Sequence, residues 1–453
     1  MPLKKIPQKI ASTFVKCSCN KHFNTIMDAN SSTIVRFKAQ ANKFSGILSK
    51  GLDKPTQRVI KEMIYGIQAS KDVKISNVAR NLQEDIALIK TEERLCRNLS
   101  DEDFSDHINT QIIRLGDDKI TDEMVIAIDP GDIMKPYAKV MENLCGIYDG
   151  SAGKGATGYH LCQVTAANLE HNKVVPLYCE AFSDKEQGYI STTQKIKEAI
   201  NKVIAKTATA GTWAIDRGGD CNEIIEHFKN SKLKFITRLK LNRWLVTHNK
   251  NGGVVPVQAD KLEKHTTVNY KAQITKIEDG KESIIDLTFG ITKVALYDKP
   301  DEWMNAVVIK GFGEHPMILL TNKEPDSKEP KDVYKIVEMY LTRWKCDECN
   351  RYIKQSYNLE DIRVRSYNDI RNLTAIVHAI AYFTSIYMGM NLKLKLMVQK
   401  IFILSKRFFG IPTFFNYAMA DGIFELLKKA NNGISSDKND NSAGTITLSL
   451  FPD

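Results

Sequence analysis

The order of extended and helical segments between residues 124 and 238 constrains the fold of this chain most. Three strand-like runs rich in β-branched and aromatic residues come first: MVIAID, GYHLCQVTAANL and VVPLYCEAF. A helix over about residues 192–206 follows, then the short run WAID, a helix through NEIIEHFKN and the strand KFITRLK. This order predicts a mixed α/β fold whose first three strands form an antiparallel meander.

Two aspartates end matching strands in this order. Asp129 closes the run VIAID and Asp216 closes WAID, and a turn-rich segment follows each. The element order is that of a ribonuclease H-like core, in which the first and fourth strands lie side by side, so we expect the two carboxylates to converge. Carboxylate oxygens suit Mg²⁺, although a single strand-end aspartate more often forms a turn or caps a helix. Asp132 and Asp220, a few residues downstream, are the alternatives.

The composition changes on both sides of this core. Short alternating runs separated by Gly, Asn, Asp and Pro predict a β-rich insertion, and helical patterns precede and follow the whole region. The fold class is therefore α/β with an all-α N-terminal domain. The predicted domains are residues 1–118 (helical, DNA-binding), 119–240 (first part of the core), 241–330 (insertion), 331–400 (second part of the core) and 401–453 (helical segment and polar tail).

The net charge of +10 is concentrated at the N-terminus. Eleven basic residues and only two acidic ones lie in the first 60 positions. Such a segment can bind a phosphate backbone by releasing condensed counterions, so we expect DNA binding to reside mainly in residues 1–118 and to weaken with salt. A solvated basic tail explains the charge equally well.

Residues 1–118 also carry helix signals. Pro55 suits the start of the amphipathic stretch TQRVIKEMIYGIQ, and Ser76 suits an N-cap. Residues 75–99 predict two helices broken near Leu82, which is the size of a helix-turn-helix that places one helix in the major groove. Two ordinary short helices are the alternative.

Nine cysteines and the opening MPLKKIPQKI, which has no long apolar run behind it, predict a reducing cytoplasmic setting. The uncharged stretch from Leu373 to Met390 is shorter than the roughly 20 residues of a membrane span, so we expect a buried core helix. Structural zinc is not expected, because neither of the two small cysteine clusters has companion ligands at zinc-site spacing. These clusters are Cys346-x2-Cys349 and Cys17-x-Cys19 with His22. The run GSAGKG at 150–155 lacks P-loop spacing and predicts a turn.

A long helix is predicted from about Asp332, with a buried stripe comprising Val333, Ile336, Val337, Tyr340, Leu341 and Trp344. At about 100° per residue, four side chains of this helix fall within a sector of about 60°: Tyr340, Arg343, Asp347 and Lys354. Glu348 falls about a quarter turn outside that sector. A solvated charged face is the alternative interpretation.

The pattern Tyr340-x2-Arg343-x3-Asp347-x6-Lys354 resembles a known family when it is taken with IDPGDIMKPYA, YDG followed by GYHLC, IDRGGD and RWKCDECNRYIKQSYNLEDIRVRS. The family is the DDE transposases of bacterial insertion sequences, in the branch with a Tyr-Arg-Glu-Lys signature. The resemblance covers about residues 121–375. It implies a ribonuclease H-like catalytic core interrupted by a β-rich insertion.

The resemblance also implies an activity: cut-and-paste transposition of a mobile element by two-metal phosphoryl transfer on double-stranded DNA. Mg²⁺, for which Mn²⁺ can substitute, would be held by Asp129, Asp216 and Asp347. Arg343 and Lys354 would bind phosphates, and Tyr340 would position a base or phosphate. The implied partners are element ends and target DNA in a complex of two subunits in the bacterial nucleoid, with no membrane.

One departure from the family pattern bears on activity. The family has Glu where this chain has Asp347, and losing one methylene withdraws the carboxylate by about 1.5 Å. Glu348 is the alternative third acidic residue. Cys346, Cys349 and Asn350 replace residues that are usually apolar or aromatic. A catalytically impaired copy that only binds DNA, and a nuclease on the same core, therefore stay open as alternative functions.

Overall fold

The computed structural model describes residues 21–149, 153–169, 174–249, 251–278, 281–407 and 414–434. Several features of the sequence lie outside these residues. They are Cys17, Cys19 and the basic residues before position 21, the first part of the GSAGKG run, and the polar tail after residue 434.

Five helices precede the sheet. They are α1 (Lys21–Leu48), α2 (Lys54–Ser70), α3 (Ile75–Leu82), α4 (Leu88–Ser100) and α5 (Ser105–Gly116). Pro55 lies in the first turn of α2, and the Asp53 carboxylate caps this helix by accepting from the Thr56 amide at 3.3 Å. The predicted cap at Ser76 is wrong, because α3 begins one residue earlier and has no side-chain cap. The break predicted near Leu82 is confirmed.

The first part of the core contains six strands and two helices. In chain order these are β1 (Val125–Met134), β2 (Cys145–Asp149), β3 (Lys154–Ala167), β4 (Val174–Phe182), α6 (Thr192–Thr207), β5 (Thr212–Ile215), α7 (Asn222–Asn230) and β6 (Lys234–Arg238). β3 pairs antiparallel with both β1 and β4. β5 pairs parallel with β1, and β6 pairs parallel with β5. The resulting order is β4-β3-β1-β5-β6, a mixed sheet with β1 at its centre.

The first strand is longer than predicted. It was expected to end at Asp129, but β1 continues to Met134 because β3 continues to pair with it as far as Gly158. Asp129 therefore lies within a strand on the β3 side, while the pairing of β1 with β5 ends at Ile128.

The β-rich insertion joins the same sheet. Its strands are β7 (Trp244–His248), β8 (Val254–Gln258), β9 (Tyr270–Glu278), β10 (Lys281–Leu296), β11 (Lys299–Lys310) and β12 (Met317–Thr321). β12 pairs antiparallel with β6, so the twelve strands in the described part of the chain form one mixed sheet. The insertion therefore extends the core sheet.

The remaining helices are α8 (Pro330–Thr342), α9 (Trp344–Tyr357), α10 (Tyr367–Tyr382), α11 (Lys395–Leu404) and α12 (Asn416–Leu427). The single long helix predicted from Asp332 is wrong, because it is interrupted at Arg343. There the backbone bonds run from Arg343 N to Tyr340 O and from Cys346 N to Arg343 O, a three-residue spacing that winds more tightly than an α-helix. Trp344 consequently leaves the buried stripe and is 43% exposed beside Phe312.

The sheet has a hydrophobic cluster on each face. One extends from Ile34 to Ile434 and takes side chains from α1–α5, the sheet and α9–α12, whereas the other packs α8 against the sheet and insertion. The alternation of a pleated strand divides β1 between them: Val125 joins the α8 cluster, and Ile126 and Ile128 join the larger one. The boundary predicted at residue 118 therefore separates elements that share a core, and the one predicted after residue 400 falls inside α11.

Every residue of α10 is buried except Asn368 and Arg371, in agreement with the predicted core helix. No single helix in the described ranges has the length and apolar composition of a membrane span. One pair of helical segments reaches that length and composition only when the two are counted together, Tyr367–Met388 and Leu392–Leu404. The axes of the two segments are bent by 87° relative to each other.

Asn372 ties α10 to the connection between α4 and α5. Its fully buried amide donates to the carbonyls of Leu99 and Glu102 at 2.9 and 2.7 Å and accepts from the Phe104 amide at 2.9 Å. One side chain thus satisfies three backbone groups where the N-terminal helices meet the core.

We predict that Asn372→Leu lowers the free energy of unfolding by about 3–5 kcal/mol, because it leaves buried backbone groups without partners. Asn368→Ala is the matched control, since Asn368 makes one part-buried bond, to the Ser100 carbonyl. Urea unfolding of both variants checks this. Equal small losses would show that the Asn372 bonds contribute little.

Candidate active site

The register of β1 and β5 brings Asp129 and Asp216 together. Ile128 of β1 and Ile215 of β5 form the last pair of the parallel ladder. Asp129 follows Ile128 directly, and Asp216 follows Ile215 directly. Neighbouring strands lie about 4.8 Å apart, so the two aspartates begin on adjacent backbones. Asp216 also accepts from the Gly218 amide at 2.8 Å and caps the short turn that follows it. Asp216 therefore forms a turn, as the alternative interpretation predicted, and also lies beside Asp129.

Helix α9 contributes a third carboxylate through its first turn. Arg343 Nη1 lies 2.9 Å from Asp347 Oδ1 and 3.8 Å from Asp129 Oδ1, so its guanidinium joins two of the three aspartates. Its Cζ lies 5.9 Å from the centre of the Tyr340 ring. Tyr340 is only 3% exposed, which supports a role in orienting Arg343 and does not support the predicted direct contact with DNA.

Asn350 completes the cluster, although in the sequence it stands out only as a departure from the family pattern. Its Nδ2 donates to Asp129 Oδ2 at 2.5 Å, while its Oδ1 is buried without a hydrogen-bond partner among the described residues. The signal that could have identified it is its spacing, because residues three apart on a helix are neighbours and Asn350 follows Asp347 by three.

Negative charge dominates this cluster. Burial, followed by the neighbouring carboxylate of Asp347, raises the pKa of Asp129 to about 7, against the opposing effect of Arg343. Burial also raises the pKa of Asp347, and Arg343 again opposes it. Burial disfavours the charged form of Arg343, yet the carboxylates beside it raise its pKa overall. Three carboxylates therefore face one guanidinium.

The donor set fits a hard divalent cation in its chemistry. It offers carboxylate oxygens and the unpaired amide oxygen of Asn350, which are ligands that Mg²⁺ prefers. In this structure the Arg343 guanidinium lies between Asp129 and Asp347, and no group of three or more His, Cys, Asp or Glu residues in the described ranges is arranged to hold a metal. Binding of a cation by these aspartates therefore requires Arg343 to move.

Glu348 does not join this cluster. Its carboxylate pairs with Arg351 Nη1 at 2.8 Å, one turn along α9. Glu348 therefore points away from the cluster, in agreement with the helix angles. The catalytic roles of Asp347 and Glu348 stay predictions.

The other predicted residues lie beside the cluster. Lys354 Nζ contacts Asp132 Oδ1 at 3.5 Å and Glu360 Oε1 at 3.0 Å. Asp220 is buried, pairs with Arg243 Nη1 at 2.9 Å and accepts from the Lys240 amide. Both alternative aspartates thus pair with cations other than Arg343.

The cysteines of α9 face the core. Cys346 and Cys349 are both buried, and the Cys346 thiol donates to the Thr165 carbonyl at 3.4 Å. Burial raises the pKa of Cys349 to about 12, which keeps its thiol protonated at neutral pH. The side chain of His22, from the other predicted cluster, lies outside the described residues.

No protein-family model and no curated protein matches this chain. Among solved structures, a cryo-EM structure of a piggyBac transposase synaptic complex with hairpin DNA is similar, with a TM-score of 0.41 and 9% identity. The similarity covers 89% of this chain and 80% of that one. A likeness at this TM-score and identity is too weak to support a shared fold or activity.

We predict that Asp129→Asn raises the free energy of unfolding by about 1–3 kcal/mol at pH 8 without divalent metal, with no gain at pH 4. The folded-state pKa of Asp129 is raised, so its ionisation destabilises the fold progressively between about pH 4 and 7, and the neutral amide removes that effect.

Urea unfolding at both pH values checks this. Asp132→Asn on the same strand is the control, and no gain is expected because its pairing with Lys354 is lost. Equal stability of wild type and Asp129→Asn at pH 8 would contradict the description of the cluster.

Proposed function

We propose that this chain is a metal-dependent DNA transposase with a ribonuclease H-like catalytic core, which cleaves and joins DNA at the ends of its own mobile element. The strand order β4-β3-β1-β5-β6, with β1 antiparallel to β3 and parallel to β5, supports such a core. The family signature on α8 and α9 supports the reaction class.

One observation carries the proposal. Asp129 on β1, Asp216 after β5 and Asp347 on α9 come from three separate elements, yet all three act electrostatically on the same Arg343. Groups of like charge that crowd together in a partly buried site carry a cost in stability, and such sites are candidates for function.

The residues divide the chemistry between them. Asp129, Asp216 and Asp347 would hold Mg²⁺, or Mn²⁺ in its place, and the bound cation supplies charge neutralisation and an activated oxygen nucleophile. Phosphoryl transfer depends mainly on positioning and electrostatic stabilisation. Asn350 fixes the orientation of Asp129 through the Nδ2 hydrogen bond, and this is the positioning that the reaction needs.

Arg343 is the proposed phosphate ligand nearest to the aspartates. Its guanidinium has five N–H donors, and Nε has no hydrogen-bond partner among the described residues. Arginine can bind a phosphate with two donors at once. Arg343 can therefore exchange its contact with Asp129 for a contact with a DNA phosphate. Lys354 extends the cationic surface along β1, beside Asp132.

The partners follow from the reaction and from the family resemblance. We propose that the substrates are double-stranded element ends and target DNA, and that two copies of the chain act on paired ends.

We predict that Asp129→Ala or Asp216→Ala lowers Mg²⁺-dependent cleavage of element-end DNA at least about a hundredfold and leaves DNA binding nearly intact. Loss of a carboxylate removes a ligand, whereas the cationic surfaces are unchanged. Cleavage on a denaturing gel and binding by anisotropy check this, with Asp132→Ala as control. Full activity of either variant would move the site to Asp132 or Asp220. A joining assay with pre-cut ends distinguishes a transposase from a nuclease.

We predict that Asp347→Glu raises the cleavage rate, because the added methylene extends the carboxylate toward the other aspartates by about 1.5 Å. Glu348→Ala costs less activity than Asp347→Ala, since Glu348 pairs with Arg351 outside the cluster. Rates of the three variants at saturating Mg²⁺ test both statements. An inactive Glu348→Ala beside an active Asp347→Ala would transfer the role to Glu348.

A further inference from the structure

A cleft of about 500 Å³ lies between α1 and α2, at a distance in the chain from the carboxylate cluster. One wall, formed by the end of α1 and the residue after it, consists of small or polar residues, among them Ser45, Gly46 and Ser49. The α2 wall carries Lys54, Arg58 and Lys61. Each set follows the spacing of a single helix face, so the cleft is formed by two regular helix surfaces.

The lining of the cleft is cationic. The three basic side chains come from α2, and no acidic side chain lines the cleft. Arg58 is held in place by ion pairs with Glu62 and Glu84, at 2.7 and 2.5 Å, which lie behind the lining. Lys54 is exposed at the first turn of α2, where the partial positive charge of the helix N-terminus adds to its own.

The α1 wall leaves room for a close approach. A Cβ placed on Gly46 would meet nothing within 4 Å, so this part of the wall is open to solvent. The hydroxyls of Ser45 and of Ser49, the residue after α1, donate to the carbonyls of Asn42 and Ser45, so neither side chain extends across the cleft. A negatively charged polymer can therefore enter between the small side chains of one wall and the basic side chains of α2.

We propose that the α1–α2 cleft binds the sugar-phosphate backbone of double-stranded DNA. This inference rests on the proposed transposase function and locates one DNA contact of that function away from the carboxylates. Phosphate contacts fix the position of a protein on DNA without reading its sequence, so the cleft strengthens binding to any duplex. The cleft lies in the segment that holds most of the net positive charge of the chain.

The test uses the full chain and a short fluorescent DNA duplex of arbitrary sequence. Lys54→Ala with Lys61→Ala is expected to weaken binding at least about tenfold and to reduce the slope of log affinity against log salt by about two. The control is Lys90→Ala, because Lys90 is an exposed lysine on α4 that pairs with Glu93 outside the cleft. The control should leave both the affinity and the slope nearly unchanged.

A steric variant tests the shape of the cleft independently of charge. Gly46→Gln fills the open wall with an uncharged side chain and improves helix propensity, so the melting temperature should hold or rise while DNA affinity falls. Ser49→Ala is the matched substitution that leaves the cleft open, and it should bind like the wild type.

The outcomes separate this proposal from the transposase function. If the wild type binds and cleaves DNA but the cleft variants match it in affinity and salt slope, the cleft proposal is wrong and the function stands. If the cleft variants bind weakly but the wild type never cleaves with Mg²⁺, the cleft is supported and the proposed function is wrong. A wild type that does not bind the duplex overturns both.

Discussion

The parallel pairing of β1 with β5 is the interaction on which the candidate site depends. It places Asp129 and Asp216 at the next register position beyond Ile128 and Ile215, where the ladder ends. The flanking apolar residues of both strands are buried on either face of the sheet, so the register is fixed by packing. A slip of either strand by one residue would turn its carboxylate toward the opposite face and separate the two aspartates.

The second constraint is electrostatic. Three aspartates lie close together in a half-buried site, and the Arg343 guanidinium lies between two of them, Asp129 and Asp347. Burial, followed by the neighbouring carboxylate of Asp347, raises the pKa of Asp129, and Arg343 opposes this rise without cancelling it. Under the proposed function a bound cation would neutralise part of this negative charge, and Arg343 would exchange its carboxylate partners for a phosphate. Holding like charges together costs stability, which is the trade-off expected of such a site.

Parts of this arrangement could be predicted from the sequence, and the reasons for the rest are physical. Asp129 and Asp216 end apolar runs, and buried strands have that local signature. The helix angles favoured Asp347 over Glu348 as the residue that faces the aspartates. They held across the break at Arg343 because this break is only one tight turn. The exposure of Trp344 follows from that break, which no local pattern indicated. Spacing places Asn350 beside Asp347 on α9, but it does not predict the bond from Asn350 to Asp129 or the pairing of β12 with β6, because both join residues distant in the chain.

The proposed function requires that Asp129, Asp216 and Asp347 form one cation site. Diffraction from crystals soaked in Mn²⁺, at a wavelength where manganese scatters anomalously, can test this. We expect an anomalous peak bound by Asp129 and Asp216 with Asp347 beside it, and an Arg343 guanidinium that has moved from between the carboxylates. A peak bound instead by Asp132 or Asp220, or none near Asp129 at saturating Mn²⁺, would contradict it.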